Sequence, residues 1–418
     1  MTGFSPATSR RPSVPSAFVR LRRAMGRGVA RITSGAIAPY QTAVLRIGLA
    51  FAWFAFLLRE WLHRADLYGV DAPWSWGMGR ELISVNHAFT ALMWNDGRLW
   101  FEVVYAAAMV VSVMLLLGWR TRTTSLLFMI GVLAIVNRNP MVADGGDNVF
   151  KVMAIYLVFT RCGQVWSLDA RRAAAGRDGG RDVAGIVMWV FLTGVLALVT
   201  GAGKLSPGWA LLLWAFVLGQ AAWWLVRRFA AGEPRTVMTM AANAVHAGAL
   251  LVIAVEVCLI YATAGWYKIQ GTAWQNGTAL YYPLHVGAFT PWPALSHAIA
   301  SSSLVILIFT YGTVMAEVAF PFTLFNTRAR TVMVAIMISL HVGIGVVLGL
   351  TFFALVMIAA DAFFLPTAVL RWVGDRVARA VPRTRVMATT AAMAAGVGVA
   401  AGARSRAEAS PKPERVTK

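Results

Sequence analysis

The sequence predicts an all-α fold, a polytopic transmembrane helical bundle of about ten spans with the N-terminus in the cytoplasm. Three observations carry this. Of 418 residues, 58% are hydrophobic and only 13% charged, where a soluble chain carries roughly a quarter charged residues. A water-soluble globule of this composition would lack the polar surface to cover its core. The mean hydropathy of +0.64 comes from apolar runs near the length of about 20 residues that crosses a bilayer. Basic residues alternate from loop to loop, and this sets the orientation.

The runs fall at 43–61, 102–119, 123–137, 147–160, 184–203, 208–226, 244–266, 303–325, 330–347 and 350–366. None alternates strictly, and their length favours helices over barrel strands. Residues 1–40 form a basic tail with few acids. A transit peptide has a similar make-up, but no apolar region with a cleavage site precedes the first span. Residues 41–366 make up the transmembrane domain. Within it, 184–226 reads as an inserted hairpin with almost no polar side chains, a packing or lipid-facing element. Residues 367–418 form a basic C-terminal segment. Its weakly apolar stretch 386–403 leaves an eleventh span open, and its end reads as disordered.

With the N-terminus inside, cytoplasmic segments hold 24 of the 38 Lys and Arg. Seven precede the first span, and Arg120 and Arg122 follow the second. Five lie across 161–182, three across 227–235, two at Arg328 and Arg330, and five across 371–385. The opposite loops hold six: Arg64, Arg80, Arg98, Arg138, Lys204 and Lys268. This asymmetry is that of a multi-pass plasma-membrane protein. It accounts for the net charge of +20 without nucleic acid as a partner. Cys162 and Cys258 sit in unlike settings, which excludes a disulfide framework. No CxxC, HExxH, P-loop or GxSxG pattern occurs, and no ligand set has metal spacing.

Ionisable residues at membrane depth are costly and mark candidate sites. Arg46 lies at the start of the first span, where it is expected to snorkel to lipid phosphates. Lys151 is expected to pair with Asp144 or Asp147. Glu256, Glu317, His341 and Asp361 lie deeper in the C-terminal half, and neither glutamate has a cation at helical spacing. Together they predict a polar cavity among the seventh to tenth spans, although interhelical hydrogen bonds would account for each one singly.

The stretch YATAGWYKIQGTAWQNGTALYYPLHVGAFTPWP, 261–293, is read as a long outer loop. Lys268 follows the apolar run directly, with Trp274 near it; a lysine desolvated there would serve as a neutral amine base. The first outer loop has a similar composition and is a candidate roof for the same cavity. The short outer turn NRNPMVADGGD gathers Asn137, Arg138, Asn139, Asp144 and Asp147, either as a second site or as a solvated turn. In VWSLDARR, Trp166 is expected to anchor at the interface, and Ser167 or Asp169 to cap the segment that follows.

The order RIGLAFAWFAFLLREW, GWRTRTTS, NRNPMVADGGD, VWSLDARR, YATAGWYKIQGTAWQNGTALYY and SLHVGIGVVLGLTFFAL resembles the HTTM (horizontally transferred transmembrane) family, from about residue 40 to 366. That family includes the membrane part of vitamin K-dependent gamma-carboxylase and many bacterial proteins. The resemblance implies an outer-face site in which Lys268 matches the lysine held to deprotonate the reduced quinone. The oxygenated quinone then takes a proton from a peptide glutamate, and carbon dioxide adds to the carbanion. Two departures limit it. Gln164 stands where the carboxylase has a histidine, and the large propeptide-binding region is not matched after residue 366. Relatives linked to maturation of a secreted peptide toxin imply a small exported peptide as another substrate or partner.

Two functions follow. One is a carboxylase-like enzyme acting on a quinone, another lipophilic substrate or an exported peptide, with Lys268 as base and a reduced quinone as cofactor. The other is a non-enzymatic binding or assembly protein in which Lys268, Glu256 and Glu317 form buried ion pairs. Transport is disfavoured, because no inverted repeat or broken helix stands out.

Overall fold

The computed structural model describes residues 17–176 and 183–380, and among these there is no strand. In chain order the helices are α1 (Ala17–Ser34), α2 (Pro39–Glu60), α3 (Arg64–Tyr68), α4 (Trp76–Asn86), α5 (Arg98–Leu117) and α6 (Thr121–Val136). Then come α7 (Gly145–Val158), α8 (Leu168–Ala174), α9 (Val183–Gly201), α10 (Pro207–Phe229), α11 (Glu233–Gln270) and α12 (Thr272–Gln275). The last are α13 (Pro293–Ala300), α14 (Ser303–Thr323), α15 (Thr327–Val347), α16 (Thr351–Ala362) and α17 (Thr367–Ala380). The chain divides into two compact units, 1–367 and 368–418. Of the second, only the remainder of α17 is described; the stretch 386–403 lies outside the described residues.

Each of the ten expected spans falls on a helix. Seven are long and apolar enough to cross a membrane, α2, α5, α9, α10, α11, α14 and α15, or eight if α16 and α17 count as one broken span. The chain therefore has the helices of a membrane-embedded protein. The three shorter ones have 16 residues in α6, 14 in α7 and 12 in α16. All three are packed among longer helices: α6 lies between α5 and α7, and α16 packs on α2, α7 and α15. A helix walled by protein need not match the hydrocarbon thickness.

α2 is the centre of the core. Leu45, Leu49, Trp53 and Leu57, four residues apart, are fully buried, as expected for one face of a helix. Gly48 lets α16 come close, since a Cβ there would stand 2.5 Å from that of Ala359. Small residues at such crossings let backbones approach in a membrane bundle. By contrast, α9 and α10 leave most of their apolar side chains exposed, which suits contact with lipid.

At the end of the bundle that carries Arg120 and Arg161, backbone geometry ties the loops together. Gly118 ends α5 at φ +68, and a Cβ there would meet Arg46 Nη1 at 2.2 Å and the Ser167 Cβ at 2.4 Å. Ser167 caps α8 by accepting from Ala170 N at 2.9 Å. Asp169 accepts from the backbone N–H groups of Arg120 at 2.8 Å and Thr121 at 2.7 Å, so a carboxylate sits at the N-terminus of α6, where the helix dipole favours it. Arg46 does not snorkel. It is fully buried, and Nη2 donates to the Trp166 carbonyl at 2.6 Å. Its neighbours α5, α8 and the Trp166 turn close over it, so the protein reaches the guanidinium before lipid does.

Candidate functional site

Lys268 is in the last turn of α11, not in a loop. The helix runs 38 residues, about 57 Å at 1.5 Å per residue, and carries the side chain beyond its apolar section. Gly265, one turn earlier, is where α14 comes closest. A Cβ there would lie 2.8 Å from Val318 Cγ2 and 3.7 Å from Glu317 Cβ. This approach brings Lys268 Nζ to 2.6 Å from both carboxylate oxygens of Glu317. The cation absent from Glu317's own helix is thus supplied by its neighbour. The lysine side chain is 22% exposed and the glutamate 8%, so the pair presents its amine outward. Nζ also lies 5.3 Å from the centroid of the Trp274 ring, within cation–π range.

A second set of polar groups lies beside this pair. Tyr261, also on α11, donates its hydroxyl to Asp361 Oδ1 at 2.6 Å. Asp361 Oδ2 is 3.2 Å from His341 Nδ1, which is itself 2.8 Å from the Met337 carbonyl. Only a donor approaches a carbonyl so closely, so Nδ1 carries the proton and faces two acceptors. Nε2 is then the free acceptor of a neutral ring. Asp361, His341 and Tyr261 are nearly or wholly buried. Glu317 is within electrostatic range of both Tyr261 and His341. Of the five residues expected around a cavity, the fold brings Glu317, His341, Asp361 and Trp274 near Lys268. Glu256 is left out. It is half-buried, and five residues before Tyr261 it points about 140° away around the helix; Tyr156 on α7 is within its electrostatic range.

Tyr261 and Gly265 were not singled out from sequence. The signal was present, because 261, 265 and 268 repeat at helical spacing and so share one face. Reading 261–293 as a loop concealed it.

The outer turn 137–147 serves to hold the first outer loop. Asn137 Nδ2 donates to the Phe89 carbonyl at 2.8 Å and Asn139 Nδ2 to that of Leu67 at 2.7 Å. Arg138, 1% exposed, reaches the Trp74 carbonyl at 3.2 Å and that of Gly69 at 2.7 Å. Asp144 and Asp147 form a capping box on α7, and no ion pair with Lys151 forms among the described residues; both carboxylates are committed to backbone N–H groups. The first outer loop rests on this turn and, through Phe89 against Trp209 at 5.1 Å, on α10. Those contacts, rather than a roof over Lys268, account for its aromatics. Replacing Arg138 by lysine removes one of two carbonyl contacts. We expect a loss of about 2 kcal/mol, seen as a lower midpoint of thermal unfolding, with faster proteolysis confined to 64–97.

Among the described residues no group of three or more His, Cys, Asp or Glu is arranged to hold a metal ion. Comparison with known proteins returns no match to any family model, curated protein or solved structure.

Proposed function

We propose that this chain is a multi-pass protein of the plasma membrane, N-terminus inside, related to the HTTM proteins and carrying an outward acid–base site for a lipophilic substrate. One observation carries this reading: a half-exposed lysine held on a buried glutamate, next to an Asp–His pair. Paired as it is, Lys268 is an ammonium ion. It becomes a base only when its proton passes to Glu317 as substrate displaces the contact, which a desolvated site favours by penalising both charges. His341, oriented by Asp361, offers Nε2 as the next acceptor. The residues suit an aromatic hydroxyl compound such as a reduced quinone. Trp274 supplies a flat face beside the amine, and Trp266 and Tyr267, 63% and 76% exposed, extend the aromatic surface outward. When bound, the quinone supplies the acidic hydroxyl. The chain supplies the amine, the carboxylate that positions it and the aromatic wall. A small exported peptide is the alternative substrate.

The bidentate contact also favours a second reading, a membrane binding or assembly protein in which the pair only joins α11 to α14. Lys268→Arg separates the two. Arginine keeps the charge for Glu317 but does not release its proton at accessible pH. The enzymatic reading expects Lys268→Arg to unfold like wild type while bound reduced quinone is no longer consumed. It also expects mass spectrometry to find a quinone co-purifying with wild type and lost from Lys268→Ala. Bulk phospholipid alone in both samples, with unchanged behaviour of Lys268→Arg, would favour the assembly protein.

A further inference from the structure

The largest cavity lies at the other end of the bundle, about 1050 Å³ in volume, and the sequence reading did not foresee it. Six arginines line it: Arg120, Arg122, Arg161, Arg172, Arg227 and Arg235. They come from three separate loops, after α5, after α7 and between α10 and α11. The one lining acid is Asp169, so six positive charges face one negative, a net +5. Asp169 is also already committed: its oxygens accept from Arg120 N, Thr121 N and the Thr121 hydroxyl.

The arginines are positioned rather than loose. The backbone N–H of Arg161 donates to His246 Nδ1 at 3.0 Å, its guanidinium reaches Asn243 Oδ1, and its Nε is buried without a hydrogen-bond partner. Burial and the neighbouring Arg227 charge both push Arg161 below the usual arginine range. Arg122 lies over the Trp223 ring at 3.6 Å, which fixes it to α10. Gathering like charges in a half-enclosed space is unfavourable unless an anion shares it.

The opposite wall is the α9–α10 hairpin. Ile186, Trp189, Val190, Trp223 and Trp224 face the cavity. Ile186, Val190 and Trp224 are also 40%, 57% and 45% exposed, on helices whose remaining surface is apolar. The cavity is thus cationic on its loop side and opens along apolar, lipid-facing helices on the other. A soluble anion would use only the first of these features. We propose that this cavity binds an anionic lipid, its phosphate headgroup held by the arginines and its hydrocarbon lying along α9 and α10. The hairpin, read from sequence as having little chemistry of its own, then forms the lipid side of a binding site.

The test uses the full chain, delipidated in a neutral maltoside detergent, with dioleoylphosphatidylglycerol, dioleoylphosphatidylcholine and sodium pyrophosphate as probes, read by native mass spectrometry. Phosphatidylglycerol is expected to bind saturably as a single molecule, and phosphatidylcholine not to. The double variant Arg172→Gln/Arg235→Gln removes two charges for which no side-chain bond to the bundle is found, and should bind phosphatidylglycerol about 30-fold more weakly. If the double variant does not fold, Arg235→Gln alone, at an exposed position, gives a smaller loss in the same direction. Equal retention of the two lipids, or unchanged binding by a folded variant, would overturn the proposal. Binding of pyrophosphate with displacement of phosphatidylglycerol would also overturn it, by assigning the cavity to a soluble anion.

Discussion

Lys268→Ala is expected to lower the stability of the purified protein by about 3–5 kcal/mol, and the double variant Lys268→Ala/Glu317→Ala by much less than the sum of the single losses. The asymmetry has a physical cause. Removing the lysine leaves Glu317, 8% exposed, as a buried carboxylate whose two oxygens have lost the same partner. Removing both leaves no buried charge, only a smaller packing defect beside Gly265. A thermal or denaturant double-mutant cycle in detergent measures the difference. Additive single losses would mean that the two side chains do not interact in the membrane protein.

Asp361→Ala should cost about 3 kcal/mol, and Asp361→Asn clearly less. Asp361 is fully buried and is the acceptor for the Tyr261 hydroxyl at 2.6 Å. Alanine leaves that hydroxyl unsatisfied and His341 without its acidic neighbour. Asparagine keeps an acceptor for Tyr261 but turns its amide N–H toward His341 Nδ1, where two donors meet. Midpoints of unfolding in the order wild type, Asn, Ala are expected. The same midpoint for all three would show that the buried triad contributes nothing to the packing of α11, α15 and α16.

The sequence shows most of the fold and about half of the site, for different reasons. Span positions are legible because an apolar run near bilayer length has few alternatives to a helix, so every expected run falls on one. Helix rotation is not legible where all faces are apolar. Glu256 and Glu317 therefore look alike in sequence, although one lies on the Tyr156 side of α11 and the other meets Lys268. Depth is equally hidden. Arg46 reads as an interfacial arginine because nothing in VLRIGLAF reveals that Gly118, Ser167 and the Trp166 carbonyl close around it. The turn NRNPMVADGGD reads as polar and exposed because its partners, Leu67, Gly69, Trp74 and Phe89, are carbonyls some 50 to 70 residues earlier. The arginine cavity is the same case. Its six charges come from loops that look like ordinary positive-inside segments one at a time, and only the fold shows that they converge.

The measurement that tests the central claim most directly is lysine labelling of intact cells with a membrane-impermeant amine reagent, read peptide by peptide, in wild type and Glu317→Gln. The chain has only five lysines, 151, 204, 268, 412 and 418, so assignment is unambiguous, and exposed Lys204 reports the outer side. The account predicts that Lys204 is modified in both proteins, and that Lys268 is protected in wild type by its carboxylate and modified in Glu317→Gln. Equal modification of Lys268 in both proteins, or labelling of Lys204 only after the cells are opened, would contradict an outward-facing, ion-paired acid–base site.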